Sequence, residues 1–128
     1  MTTRILINIR DNKVIGAIQI RDTIFGYCPD NNCLEDSSTI ELPEDEFVES
    51  IQYGRSTNLD FDDLPCTLIF KTNKNTYQSP ATVECGAADN TVEIPRGDSI
   101  FEFFEQNVKT RLVMNKTYFD GFKNPSNE

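Results

Sequence analysis

The strongest constraint on the fold is an alternation of apolar and polar residues near the start of the chain. Residues 4–22 read RILINIRDNKVIGAIQIRD, with one polar turn at residues 11–13. Apolar residues alternate before this turn (Ile5, Ile7 and Ile9), and a second apolar run follows it (Val14, Ile18 and Ile20). A period of two with β-branched residues on both sides of a turn predicts a β-hairpin.

Further short strands are predicted along most of the chain. Residues 38–54, 66–78 and 81–98 each contain apolar runs of strand length, and polar loops at 27–38 and 55–65 separate them. Residues 43–45, Pro-Glu-Asp, separate two strands, and residues 44–46, Glu-Asp-Glu, are predicted to be a charged turn that shields a sheet edge. Strands at intervals of roughly ten residues, interrupted by Gly, Pro, Asn and Asp, predict an all-β domain: an antiparallel sandwich, prism or barrel.

One segment fits two structures. Apolar residues recur at helical spacing in residues 99–113, and Asp98 or Ser99 is a suitable cap for a helix that starts there. The same sequence also reads as two strands, residues 100–104 and 111–118, joined by a polar turn at 105–107. The alternative to an all-β fold is therefore an α+β fold with a C-terminal helix at about 99–113.

Charge excludes several classes of partner. The chain has 128 residues, the size of one domain, and its 21 acidic against 12 basic residues give a net charge of −9. Nucleic acids and anionic membranes would repel such a surface. Histidine is absent, which removes the usual proton-transfer group and the commonest metal ligand. We therefore expect no enzymatic activity.

Four cysteines leave the redox chemistry open. Cys28, Cys33, Cys66 and Cys85 allow three pairings into two disulfides, and free thiols are also compatible with the sequence. Zinc would need a second close pair beside Cys28 and Cys33, but the other two cysteines lie far apart in the chain. No metal or cofactor is expected.

The N-terminus does not resemble a secretory signal. Arg4, Arg10 and Asp11 interrupt its apolar residues, and no apolar run in the chain is long enough to span a bilayer. The protein is expected to be cytoplasmic if Met1 is the natural start, and extracellular if the sequence is a domain excised from a longer protein.

Several motifs resemble those of the jacalin-related lectins. TLIFKTNKNTY (67–77) resembles the family pattern sLtFkTNkrTYGp, and IELPEDEFVESIQYG (40–54) is similar to the segment that precedes it. ILINIRDNKVIGAIQI (5–20) and NTVEIPRGDSIFEFF (90–104) resemble an early hairpin and a late segment of the family. The resemblance implies a β-prism of three four-stranded sheets over residues 1–119, with strands within 100–118 and a flexible tail at 120–128.

The resemblance also implies where a sugar would bind. In this family a glycine-rich N-terminal loop, a middle loop and a late GxxxD loop hold a monosaccharide. The first is missing here and the third lacks both Gly and Asp, whereas the middle loop is rich in acceptors. A site rebuilt from two loops would use Asn58, Asp60, Phe61, Asp62, Asp63, Glu105, Gln106 and Asn107. The alternative is a solvated acidic loop without a ligand.

These observations give two hypotheses for function. The first is a lectin-like module that binds a glycan or glycoprotein through an atypical or weakened site. The second is a non-catalytic adhesion or protein-interaction domain, which forms homo-oligomers or holds a partner through an exposed sheet edge.

Overall fold

A computed structural model describes residues 2–26, 37–61, 64–97 and 99–102. Over these ranges the chain forms eight strands in two antiparallel four-stranded sheets, which confirms the predicted all-β fold. No helix within the same ranges is both long and apolar enough to cross a membrane.

The first sheet contains the predicted hairpin. Its strands are β1 (Thr3–Arg10), β2 (Val14–Ile20), β3 (Thr23–Gly26) and β4 (Ser38–Leu42), in the spatial order β3-β2-β1-β4. The turn between β1 and β2 places Asp11 and Asn12 at φ values of 54° and 59°. Asp and Asn tolerate this left-handed region better than most residues, so the local sequence favours a tight turn at this point.

The second sheet follows in the chain. Its strands are β5 (Val48–Arg55), β6 (Pro65–Thr72), β7 (Thr76–Gln78) and β8 (Asn90–Glu93), in the order β7-β6-β5-β8. A short 3-10 turn, Leu59–Phe61, lies between β5 and β6. The two strands predicted within residues 38–54 both exist, but β4 and β5 belong to different sheets and do not form a hairpin with each other.

The core lies between the sheets, where β2 packs against β6. The alternating apolar residues of the hairpin are buried on one side, and those of the second sheet on the other. Full burial of one such side chain contributes about 1.5–3 kcal/mol. The largest fully buried side chains are Ile5, Ile7, Ile15, Ile18, Ile20, Ile51, Leu68 and Phe70.

The segment that starts at residue 99, for which either a helix or two strands were predicted, begins as a helix. Residues 100–102 are helical, and the Ser99 hydroxyl accepts a hydrogen bond from the Glu102 amide while the Glu102 carboxylate accepts one from the Ser99 amide. This reciprocal capping also lowers the pKa of Glu102. The prediction of a strand starting at Ile100 is therefore wrong for residues 100–102, and the helical alternative is confirmed at its first turn.

The first helical turn is attached to the first sheet. Ile100 is buried, and the Phe101 ring lies 6.3 Å from that of Phe25 on β3 and 4.7 Å from the Arg21 guanidinium carbon. Residues 103–128 lie outside the described ranges. The third sheet of a β-prism and the tail at 120–128 therefore stay predictions.

The K-T-N-K motif forms a turn that is bonded to the connection between the sheets. The Asn73 side chain accepts a hydrogen bond from the Phe47 amide at 2.9 Å and donates one to the Asp45 carbonyl at 3.1 Å. The Asn73 amide in turn donates to the Phe47 carbonyl at 3.2 Å. Lys74 also forms an ion pair with Asp45. The motif thus fixes the path by which the chain enters β5.

A buried carboxylate stands at the centre of this contact. Glu46 is only 6% exposed and accepts hydrogen bonds from the Thr72 hydroxyl, the Tyr77 hydroxyl at 3.0 Å and the side-chain amide of Asn75 at 3.3 Å. The Thr72 hydrogen bond is the main reason that its pKa lies below the ordinary value of 4.5, although burial opposes the shift. Residues 44–46 were predicted to be a charged turn that shields a sheet edge, but the Glu46 side chain is buried, and three donors from the neighbouring hairpin compensate its burial.

Replacing Glu46 with Gln should reduce the free energy of unfolding at neutral pH, because a neutral acceptor binds the three donors less strongly than a carboxylate does. A depressed pKa in the folded state contributes stability above pH 4.5 that is lost as the pH falls through the folded-state value. The difference between wild type and Glu46→Gln should therefore shrink on acidification. Denaturant unfolding across this pH range measures it.

Glu49→Gln is the matched control, because Glu49 is exposed three residues further along the chain. Equal stability of the Glu46→Gln and Glu49→Gln variants at neutral pH would contradict the importance of the buried carboxylate.

Candidate functional site

The middle loop predicted from the sequence follows the end of β5. Ser56 at its start is buried and pairs with Cys85 in an isolated antiparallel bridge. The Ser56 hydroxyl accepts a hydrogen bond from the Asn58 amide at 3.1 Å, and the Ser56 amide donates to the Leu64 carbonyl at 2.7 Å. These bonds close the loop at its base, so the 3-10 turn Leu59–Phe61 projects from a fixed point.

A second segment, residues 83–86, braces this loop. The Glu84 carbonyl accepts hydrogen bonds from both the amide (2.8 Å) and the hydroxyl (3.0 Å) of Thr57. The Glu84 carboxylate accepts one from the Asn58 side chain at 2.7 Å. Glu84 has a φ of 55°, a conformation that is uncommon for a residue other than glycine. Since strained residues cluster at functional sites, this backbone is consistent with a binding role.

The β1–β2 turn completes the arrangement. The Val83 amide donates to the Asn12 carbonyl at 3.0 Å, and the Lys13 ammonium lies 3.7 Å from the Glu84 carboxylate. Next to this turn, the Arg10 guanidinium carbon lies 5.7 Å from the centroid of the half-buried Phe61 ring. Three segments that are distant in the chain therefore meet at one end of the fold. We name residues 57–61 together with Lys13 and Glu84 the Glu84 cluster.

A disulfide holds the brace against the second sheet. Cys66 on β6 is fully buried and is bonded to Cys85, with their Cα atoms 5.8 Å apart. The Thr82 hydroxyl also donates to the Cys66 carbonyl at 3.0 Å. Of the cysteine pairings that the sequence left open, the structure therefore contains the one between Cys66 and Cys85.

Gly54 allows the bracing segment, residues 83–86, to lie close to the end of β5. A Cβ atom at Gly54 would lie 2.6 Å from the Gly86 carbonyl oxygen, closer than side chains come to backbone atoms in folded proteins. The Gly86 amide donates to the Arg55 carbonyl at 2.9 Å, which fixes the brace at this distance. Gly54 therefore determines how near Glu84 lies to the loop.

Three of the predicted site residues fall in the described ranges, and they have different roles. Asn58 is a structural residue, because its amide group donates to Glu84 and its carbonyl oxygen accepts from the Asp60 amide at 2.8 Å. Phe61 is half-buried, and Asp60 is exposed. Within the described part of the chain, the Asp60 carboxylate forms no ion pair or hydrogen bond and is available to a ligand. The other predicted residues lie outside the described ranges: Asp62, Asp63, Glu105, Gln106 and Asn107.

Neither Glu84 nor Lys13 could be selected from the sequence. Glu84 lies 26 residues after Asn58, and only the disulfide and the sheet topology bring the two together. Residues 2–26, 37–61, 64–97 and 99–102 contain no group of three or more acidic or cysteine side chains placed to hold a metal ion. The cluster offers two carboxylates, one ammonium group and part of an aromatic ring.

Comparison with solved structures shows a structural likeness, whereas comparison of sequences does not. No protein-family model matches the chain, and no curated protein matches its sequence. A crystal structure of single-chain recombinant jacalin is similar to it, with 18% sequence identity and a TM-score of 0.47. The match covers 75% of this chain and 64% of the jacalin chain, so the protein spans less than two thirds of the length of that relative.

Replacing Gly54 with Ala should lower the free energy of unfolding by about 1–3 kcal/mol, because the added methyl group must displace the Gly86 backbone. Denaturant unfolding measures this change. Thr91→Ala, on the exposed face of β8, is the control and should stay within about 0.5 kcal/mol of the wild type. A Gly54→Ala variant as stable as this control would show that the Gly86 backbone does not pack tightly against residue 54.

Replacing both Cys66 and Cys85 with Ala should cost about 3 kcal/mol, the loop-closure entropy of a bridge across 19 residues. Reductant should then destabilise the double variant less than the wild type in denaturant unfolding. Equal sensitivity of the two proteins to reductant would contradict this pairing.

Proposed function

We propose that this protein is a carbohydrate-binding, lectin-like module whose ligand contacts the Glu84 cluster. The observation that carries the proposal is the presence of two carboxylates at one end of the fold: Asp60 lies on the loop after β5, and Glu84 lies on the disulfide-anchored segment that braces this loop. This loop is also the middle loop to which the jacalin-related motifs assign sugar contacts. The two carboxylates and the family resemblance therefore support a sugar site on the same surface.

The chemistry of the cluster suits a polyhydroxylated ligand. Carboxylates accept strong hydrogen bonds from hydroxyl groups, and the Lys13 ammonium supplies a donor for ring or hydroxyl oxygens. Bonds within the cluster hold Thr57 and Asn58 in place, so little conformational entropy is lost when a ligand binds. We include Asp62 and Asp63 in the proposed site because they directly follow Phe61 in the chain. Glu105, Gln106 and Asn107 belong to the proposal only through the family resemblance.

A protein-docking or adhesion domain without sugar binding is the second candidate. It would hold a partner strand, or a second copy of the chain, at a sheet edge. In the described ranges the edge strands of the second sheet, β7 and β8, have three and four residues, and so offer few backbone groups to a partner. This observation favours the carbohydrate proposal.

A glycan array probed with folded protein tests the proposed function, with Asp60→Asn as the diagnostic variant. Loss of the carboxylate charge should weaken glycan binding about tenfold or more, because a hydrogen bond to a charged group contributes about 1.5–3 kcal/mol. The exposed side chain of Asp60 makes loss of folding an improbable cause of such a change.

Asp22→Asn is the matched control, since Asp22 is equally exposed in the β2–β3 turn of the first sheet. Its glycan binding should equal that of the wild type. Absence of binding to every glycan by natively folded protein, with dimers or a partner complex in gel filtration, would replace this proposal with the docking role.

A further inference from the structure

A second concavity lies at the other end of the second sheet. It has a volume of about 450 Å³ and is lined by residues 47–49 and 93–97, where β5 begins and β8 ends. This volume falls within the range of about 300–1,000 Å³ that is common for small-molecule sites. The cavity is therefore large enough for a compact ligand.

The concavity is separate from the Glu84 cluster. Its residue Phe47 directly precedes β5, whereas the loop of the cluster directly follows that strand. Eight strand residues span about 26 Å at the usual rise of 3.3 Å per residue. A small ligand in one site therefore cannot reach the other.

An exposed aromatic side chain at this site is held by a rigid backbone. The side chain of Phe47 is 54% exposed, unlike most large apolar residues of the protein. Its amide and its carbonyl are both hydrogen-bonded to Asn73, at 2.9 and 3.2 Å, and the adjacent Glu46 is anchored by three donors. The Phe47 ring is thus exposed on a segment whose backbone is held in place by hydrogen bonds.

The opposite wall is fixed as well. The Ile94 amide donates to the Glu49 carbonyl at 3.0 Å, which holds the end of β8 against β5. Gly97, at a φ of 97°, turns the chain directly after the exposed Arg96. Both walls therefore exist before a ligand arrives, which reduces the entropy lost on binding.

The polar groups around the concavity have both signs of charge. Glu49 and Glu93 supply carboxylates and Arg96 supplies a guanidinium, while Phe47, Ile94 and Pro95 supply apolar surface. The two carboxylates disfavour an anion, and the guanidinium disfavours a cation. Hydrogen-bond acceptors and donors beside an aromatic ring instead suit a neutral ligand that has many hydroxyl groups and one apolar face.

We propose that this concavity is a second binding site, specific for a neutral saccharide whose apolar ring face packs on Phe47 and whose hydroxyl groups pair with Glu93 and Arg96. The site does not depend on the Glu84 cluster. With both sites occupied by units of one branched or surface-bound glycan, the module would be bivalent, which raises avidity without new contacts.

Amide chemical shifts of the ¹⁵N-labelled protein during titration with methyl glycosides of glucose, galactose and mannose test the proposal. Saturable shifts are expected at residues 47–49 and 93–97. Phe47→Ala should weaken this binding about tenfold, as is common when the aromatic anchor of a site is removed. Gln78→Ala, which shortens an exposed side chain on β7 outside both sites, is the control and should bind like the wild type.

Two ligands and a second pair of variants make the test specific. Glucuronate should bind more weakly than glucose because of Glu49 and Glu93, and cyclohexanol should not saturate the site. Arg96→Ala should reduce glycoside binding, whereas Lys71→Ala, which removes an exposed cation outside the lining, should not.

Asp60→Asn distinguishes this site from the proposed lectin site, because it should leave the shifts at residues 47–49 and 93–97 unchanged. If glycosides shift these residues but nothing binds at the Glu84 cluster, the second site is supported and the proposed lectin site is not. No saturable shift there with any of the three glycosides, or equal binding by the Phe47→Ala variant, would overturn it.

Discussion

The buried carboxylate of Glu46 is the interaction on which the arrangement of this protein depends. It lies in the connection from β4 in the first sheet to β5 in the second, and it accepts three hydrogen bonds from the hairpin formed by β6 and β7. A carboxylate that is 6% exposed without such donors would carry a large desolvation cost. The contact therefore specifies one path for the connection, and this path sets the start of β5 and the position of Phe47.

Strand β5 also positions both of the proposed binding sites. At its beginning, Phe47 is fixed by Asn73, and at its end Gly54 admits the segment that carries Glu84. Both candidate sites thus lie at the ends of strands of the second sheet, while the first sheet contributes half of the shared core and the turn that contains Lys13. Rigid strands with functional groups on the loops at their ends are a common way to position a binding site.

Local periodicity was sufficient to predict most strands, but it did not predict the tertiary contacts. The hairpin of β1 and β2 follows from alternation and from the residues of its turn. The sequence around Glu46 looks like a solvated acidic turn, because its three donors lie more than twenty residues away. At Ser99 a capping-box signal was present in the sequence, and the helical turn shows that this local signal outweighs a strand expected from family resemblance. Likewise, the loop at residues 58–61 was predictable from its composition, whereas Glu84 was not, because its proximity depends on strand order and on the Cys66–Cys85 bridge.

The central claim is that the protein binds carbohydrate at the braced loop after β5. A crystal structure of the protein soaked with the glycan that it binds most tightly tests this claim most directly. We expect sugar hydroxyl groups within hydrogen-bonding distance of the Asp60 and Glu84 carboxylates. A glycan bound away from both carboxylates, with the loop at residues 57–61 free of ligand, would contradict it.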